Sequence, residues 1–191
     1  MSTLLEKSWT HDGRPELNRR GVPMVDGPWV NEPDKVQWVD PATDLDCLAL
    51  RNHFGAWCGY VGLPPEHPWH GVDYGQCTNE DCTEEWCYEH SPEGTVSVHG
   101  CLTFAAFCHE SDKGEGYGIC HTPFPGREDR VWWLGFDTDH SGDLTPYDAN
   151  QRAQEGDRSY WDYRRDDQYR TLDYVRAECA RLAEQCAAVA K

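Results

Sequence analysis

Val131-Trp-Trp-Leu-Gly-Phe-Asp137 runs without a spacer into Thr138-Asp139-His140-Ser-Gly-Asp143. Its first six residues are apolar apart from one glycine, a length that suits a buried strand and is short for a helix. A strand that hands Asp and His to a turn at its C-terminal end places reactive side chains on a rigid support. This junction is read as the centre of the protein.

Working outward, Lys35-Val-Gln-Trp-Val39 alternates as a strand does, and Asp46-Cys-Leu-Ala-Leu50 follows a Pro-Ala-Thr-Asp turn, so the two predict a hairpin. Ala56-Trp-Cys-Gly-Tyr-Val-Gly-Leu63 predicts a third strand, with Gly59 and Gly62 marking a bulge or the close approach of another backbone. Val96-Ser-Val-His99 reads as a short strand, while the apolar segment from Leu102 to Phe107 has no assignable type. Residues 1 to about 30 are polar and broken by Pro15, Pro23 and Pro28, which predicts an arm or loop. Pro64-Pro-Glu-His67-Pro-Trp-His70-Gly cannot be helical and presents two imidazoles on a structured loop. The region 145–167 is a polar stretch.

The chain closes with a predicted helix from about 168 to 190. Leu172, Val175, Cys179, Leu182, Cys186 and Val189 recur at spacings of three and four, while Arg170, Arg176, Glu178, Arg181 and Glu184 fall off that stripe. Such a helix covers one face of a sheet more readily than it forms a coiled-coil arm. The fold expected is α+β: a mostly antiparallel sheet with the long C-terminal helix packed on it and long irregular loops. Residues 1–30 form the arm and 31–191 a single domain, which includes a Cys-rich excursion at 75–94.

The charge narrows the possible partners. With 34 acidic and 17 basic residues the net charge is −17. That balance disfavours duplex nucleic acid and anionic membranes and suits solubility, metal cations, basic partners or mimicry of a nucleic acid; the partners expected are a small-molecule ligand or a basic host protein. Nine Trp argue against disorder despite a mean hydropathy of −0.80. The N-terminus lacks the basic and apolar regions of a secretion signal, and no stretch reaches membrane-spanning length. Cytosolic, reduced thiols are therefore expected, and clustered Cys are weighed as metal ligands before disulfides.

Several stretches together carry a resemblance: Gly27-Pro-Trp-Val-Asn-Glu-Pro-Asp34, Cys58-Gly-Tyr-Val-Gly-Leu-Pro-Pro-Glu-His-Pro-Trp-His-Gly71, Val98-His-Gly-Cys-Leu-Thr-Phe104, Ile119-Cys-His121, Trp132-Trp-Leu-Gly-Phe-Asp137 through Gly142-Asp143, and Tyr169-Arg-Thr-Leu-Asp-Tyr-Val175. In this order they are similar to a set of small uncharacterised proteins from phage and prophage genomes. The resemblance brings no established activity; it implies a protein expressed in the cytosol of an infected bacterium. Two departures are Cys101, where a second Gly is expected after Gly100, and the longer Cys-bearing excursion at 75–94. The second implies that a local zinc site, where one forms, would be peculiar to this chain.

Two sets of residues carry candidate chemistry. Cys77-x4-Cys82-x4-Cys87-x2-His90 places four soft ligands within fourteen residues, amid Glu80, Asp81, Glu84, Glu85 and Glu89. This is a ligand set for tetrahedral Zn2+, although the spacing is not a common finger spacing; a solvated loop or a disulfide is the bland alternative. The second set is His67, His70, His99, His121, Asp137, His140 and Asp143, each in a strand end or a Pro- or Gly-framed loop. If they converge, His67, His70, His99, Asp137 and His140 hold a divalent metal, most simply zinc, and Asp139 or Asp143 orients or deprotonates its water. Any one of these histidines, taken alone, reads more simply as structural. Trp57 and Trp69 flank the Pro-rich turn and are candidates to stack on a base or sugar, though most of the Trp should be core. A cysteine nucleophile at Cys58, Cys108 or Cys120 ranks lower, because buried Cys is commonly a small hydrophobe.

These readings lead to two expectations. One is a metal-dependent hydrolase of a small phosphorylated or nucleotide-like substrate. The other is a non-catalytic anti-defence factor that binds a host protein or sequesters a signalling nucleotide.

Overall fold

The computed structural model describes residues 5–11, 25–108, 112–155 and 166–190. Parts of the expected arm (1–4 and 12–24) and of the polar stretch (156–165) lie outside the described residues. Among those described are six strands: β1 (Glu6–Trp9), β2 (Lys35–Val39), β3 (Asp46–Arg51), β4 (Trp57–Leu63), β5 (Phe104–Phe107) and β6 (Trp132–Asp137). They form one sheet in the order β1-β2-β3-β4-β6-β5, and every neighbouring pair is antiparallel. The expected hairpin is the β2–β3 pair, with Val36 opposite Ala49 and Trp38 opposite Cys47. Three helices accompany the sheet: α1 (Pro92–Thr95), α2 (Pro146–Glu155) and α3 (Leu172–Val189).

Alternation along the strands sorts side chains to two covered faces. On one, Val36, Trp38, Cys47, Ala49, Val61, Leu63, Leu134 and Phe136 meet α3 through Val175, Cys179, Leu182, Ala183 and Cys186. Thr171 starts that helix by accepting the Tyr174 N–H on its side-chain oxygen. Gly59 on β4 lets the helix approach: a Cβ there would lie 2.5 Å from Phe136 Cζ and 2.8 Å from Cys179 Sγ. The close approach expected at Gly59 is thus to side chains, and the β3–β4–β6 register runs through it without a bulge.

The other face carries Leu48, Cys58, Tyr60, Val131 and Trp133. There the loop after residue 112 closes over β2 through polar clamps. Lys35 Nζ donates to the carbonyls of Glu115 and Cys120, and the Gln37 amide exchanges hydrogen bonds with the backbone of Thr122. Burial lowers the Lys35 amine to about 8. Covering on both sides explains why all of β2 and β4 is buried.

Local pattern and structure differ in four places. Glu6–Trp9, inside the expected arm, is an edge strand paired to β2, with Glu6 opposite Trp38. Val96–His99 has strand composition but finds no partner strand, whereas Phe104–Phe107 pairs with β6. The polar stretch contains α2, whose start Thr145 marks by accepting the Asp148 N–H. Glu178, placed off the apolar stripe, is buried at 5% exposure because the loop before β5 lies over it and uses its carboxylate.

Candidate metal centre

The excursion at 75–94 is tied at its base by a bridge between Gln76 and Trp86. Inside it, Cys77 N–H donates to Glu85 O (2.8 Å), and Thr78 N–H donates to His90 O (2.9 Å). Asn79 turns the chain: its side-chain oxygen accepts the Asp81 N–H and its carbonyl accepts the Cys82 N–H, each at 3.0 Å. A 3-10 turn at Tyr88–His90 then leads into α1, which Ser91 caps.

These turns bring four ligand atoms together. One from each of Cys77, Cys82, Cys87 and His90 lies within 4.8 Å of the others. Cys87 Sγ is 2.9 Å from Cys77 Sγ, 3.8 Å from Cys82 Sγ and 3.3 Å from His90 Nδ1. A tetrahedral zinc with its usual Zn–S and Zn–N bonds separates its ligand atoms by about 3.5–3.8 Å. Two of the three distances fall near that edge, and the Cys77–Cys87 pair would open by just under 1 Å around an ion. Cys87 is placed to donate its S–H to Cys77. That bond holds the Cys77 thiol below its ordinary value and pushes Cys87 up to about 12.

The second set divides. His99, Asp137, His140 and Asp143 gather where β6 ends. Asp143 is 1% exposed and accepts from Arg170 Nε (2.7 Å), His99 Nε2 (2.7 Å) and the His140 backbone N–H (3.1 Å). Burial pushes its carboxyl up, but the bonds from Arg170 and His99 outweigh burial and hold it below the usual carboxylate range. An ionised Asp143 only accepts, so His99 Nε2 carries the proton and, in the neutral ring, Nδ1 accepts from Tyr174 OH at 2.9 Å. His140 Nε2 lies 3.4 Å from Asp137 Oδ1 without a hydrogen bond, and Asp137 accepts from Thr103 Oγ1 and from the Asp139 backbone. Gly100, with φ +63°, packs directly on the His140 ring.

His67 and His70 do not join this group, contrary to the convergent cleft expected. His67 is buried with both ring nitrogens engaged: Nε2 meets Cys186 O and Nδ1 accepts the Trp69 N–H, each at 3.0 Å. Burial also lowers its imidazole below the ordinary value. It sits two helical turns along α3 from Glu178, which holds His99, a separation of about 12 Å. His70 meets Arg130 O at the start of β6, about 17 Å from its Asp137 end. His121 bonds Glu128 O and packs edge-on to Trp133. Among the described residues, the Cys77–His90 group is the one set of three or more ligand-type residues close enough for an ion.

The aromatic and cysteine candidates also move. Trp57 is fully buried, its Nε1 bonded to Glu32 and its ring covered by the Arg51 guanidinium at 4.3 Å. Trp69 is 4% exposed within the core, so neither ring is open to a stacking ligand. Cys58 is buried, its thiol pushed up to about 12 by burial and by Asp137. Cys108 and Cys120 form a disulfide with Cα atoms 4.7 Å apart, a departure from uniformly reduced thiols; Cys77, Cys82 and Cys87 are free thiols. Two surface grooves lie elsewhere, one beside Tyr117 and Asp129 and one beside Asp44 and Arg127.

Sequence reading missed Arg170, Tyr174 and Glu178 as partners of His99 and Asp143. Their spacing of four residues, which puts Tyr174 and Glu178 on one helix edge, was the available signal. The half-buried Glu32–Arg51–Tyr169 network had none, since one Arg at a strand end is unremarkable. No helix among the described residues is long and apolar enough to cross a membrane. In comparisons with protein-family models, curated proteins and solved structures, the chain matches none.

Proposed function

We propose that this protein binds one Zn2+ through Cys77, Cys82, Cys87 and His90 and acts by contact with a partner rather than by turnover. The observation that carries this is the gathering of three thiols and an imidazole within 4.8 Å on a loop whose other residues are largely polar. Four protein ligands complete a tetrahedral shell and leave no position for substrate or an activated water, which is the pattern of a structural site. Such an ion would supply the stability that a short polar loop cannot obtain from apolar burial.

A catalytic metal is not part of the proposal. Asp143, one of the two carboxylates expected to act on water, is already neutralised by Arg170, and two of the four expected histidine ligands sit elsewhere. Of the alternative raised by the sequence, binding a host protein or sequestering a signalling nucleotide, contact with a host protein is the reading kept. Elemental analysis of protein purified without chelator should give about one zinc per chain, and Co2+ exchange should yield the absorption of a tetrahedral thiolate site. Metal-free protein that takes up neither ion would refute the proposal; a Cys77–Cys87 disulfide found by mass spectrometry in that sample would identify what replaces it.

A further inference from the structure

We infer that the loop bearing the proposed zinc site is a docking surface for a lysine- and arginine-rich polypeptide segment, with Trp86 and Tyr88 as its aromatic contacts. This rests on the zinc reading, because the ion would hold the loop that carries both rings.

Among the described residues five large hydrophobics are exposed, Leu5, Val30, Trp86, Tyr88 and Phe107. The two most exposed are Trp86 at 57% and Tyr88 at 64%, and they flank the ligand Cys87. Trp and Tyr are enriched where proteins meet partners, since they give large contact area for little side-chain entropy. Both are anchored at the backbone. Trp86 pairs with Gln76, and its ring lies against Gly75; the Tyr88 carbonyl accepts from Ser91 N–H and Oγ. A surface set before binding loses less entropy on association.

The charge around the rings selects the occupant. Glu80, Asp81, Glu84, Glu85 and Glu89 are all exposed, and no Lys or Arg occurs between Arg51 and Lys113. Three thiolates and one imidazole on Zn2+ add a further negative charge to the loop. Nucleic acid, an anionic membrane and a second copy of this chain, itself at −17, are all repelled. A basic segment is attracted, and Arg fits both features at once: its plane stacks on Trp or Tyr while its N–H groups pair with the carboxylates.

The test uses the full chain and a fluorescein-labelled nona-arginine peptide, read by anisotropy at about 150 mM salt, where long-range attraction is screened. A Trp86→Ala/Tyr88→Ala variant keeps the net charge and every zinc ligand, and should bind about tenfold more weakly than wild type. Glu84→Gln/Glu85→Gln/Glu89→Gln should weaken binding to a similar degree. Zinc content is measured on every sample. Peptide binding within twofold of wild type in the ring variant, with zinc retained, overturns the docking surface and leaves the zinc site standing. Wild type that takes up no added zinc yet still binds through the two rings overturns the zinc reading and keeps the surface. Preferential binding of a single-stranded oligothymidylate over the peptide overturns the choice of a basic partner.

Discussion

Two regions collect metal-type side chains, and they end differently. Around Asp143 the protein supplies its own cation: Arg170 and His99 take its oxygens, Tyr174 takes the far side of His99, and Gly100 lies on His140. Around Cys87 the thiols face one another and His90, and the loop brings no Lys or Arg. The first is a closed polar knot joining the end of β6 to the start of α3; the second is a ligand set to which its own loop brings no cationic side chain. Residue types alone do not distinguish them. Whether the chain itself supplies the neutralising charge does.

The largest effect should follow removal of the zinc proposed for the loop. Cys87→Ser, or chelation, should abolish metal content and speed amide exchange at Cys77, Thr78 and Cys82 by about 100-fold or more, leaving β4 and β6 protected. Equal exchange with and without metal would erase the contrast between the regions. Next, Asp143→Ala strands Arg170 and His99 in the knot and should cost about 3–5 kcal/mol in urea unfolding, with zinc content unchanged.

Acid should weaken the fold through the knot and the core rather than through the metal alone. Asp143 is held low in the folded state, so its contribution is present above its unfolded value and lost as pH falls through the folded one. His67 is also held low, so the unfolded chain takes up a proton first as pH falls below about 6.5, and stability falls with it. Urea midpoints at pH 7, 5 and 3.5 should therefore decline in sequence. His67→Gln should flatten the first step and Asp143→Asn the second. The smallest effect is a gain. Cys101 adopts φ +73°, a conformation that suits glycine, and it is exposed. Cys101→Gly should stabilise by about 1 kcal/mol without changing metal content, the opposite of replacing a cysteine in the loop.

The C-terminal helix was legible because its stripe is a local repeat: Val175, Cys179, Leu182 and Cys186 are all fully buried, as their spacing requires. The β6 run was legible for the same reason. β1 was not, since an edge strand with one face in solvent carries little apolar pattern and is defined by its pairing to β2 some thirty residues away. α2 carried a readable start in Thr145-Pro146-Tyr147-Asp148, but its polar composition hid it.

The cysteine cluster could be read from the chain because its ligands lie within fourteen residues, a span over which turns alone can bring side chains together. The histidines posed a different problem. His67, His70 and His99 share a residue type and lie in loops that border the same sheet, yet one is sealed against Cys186, one sits at the start of β6 and one meets Asp143 at its end. Which end of a strand and which turn of a helix a loop reaches depends on long-range packing, and no local spacing encodes it.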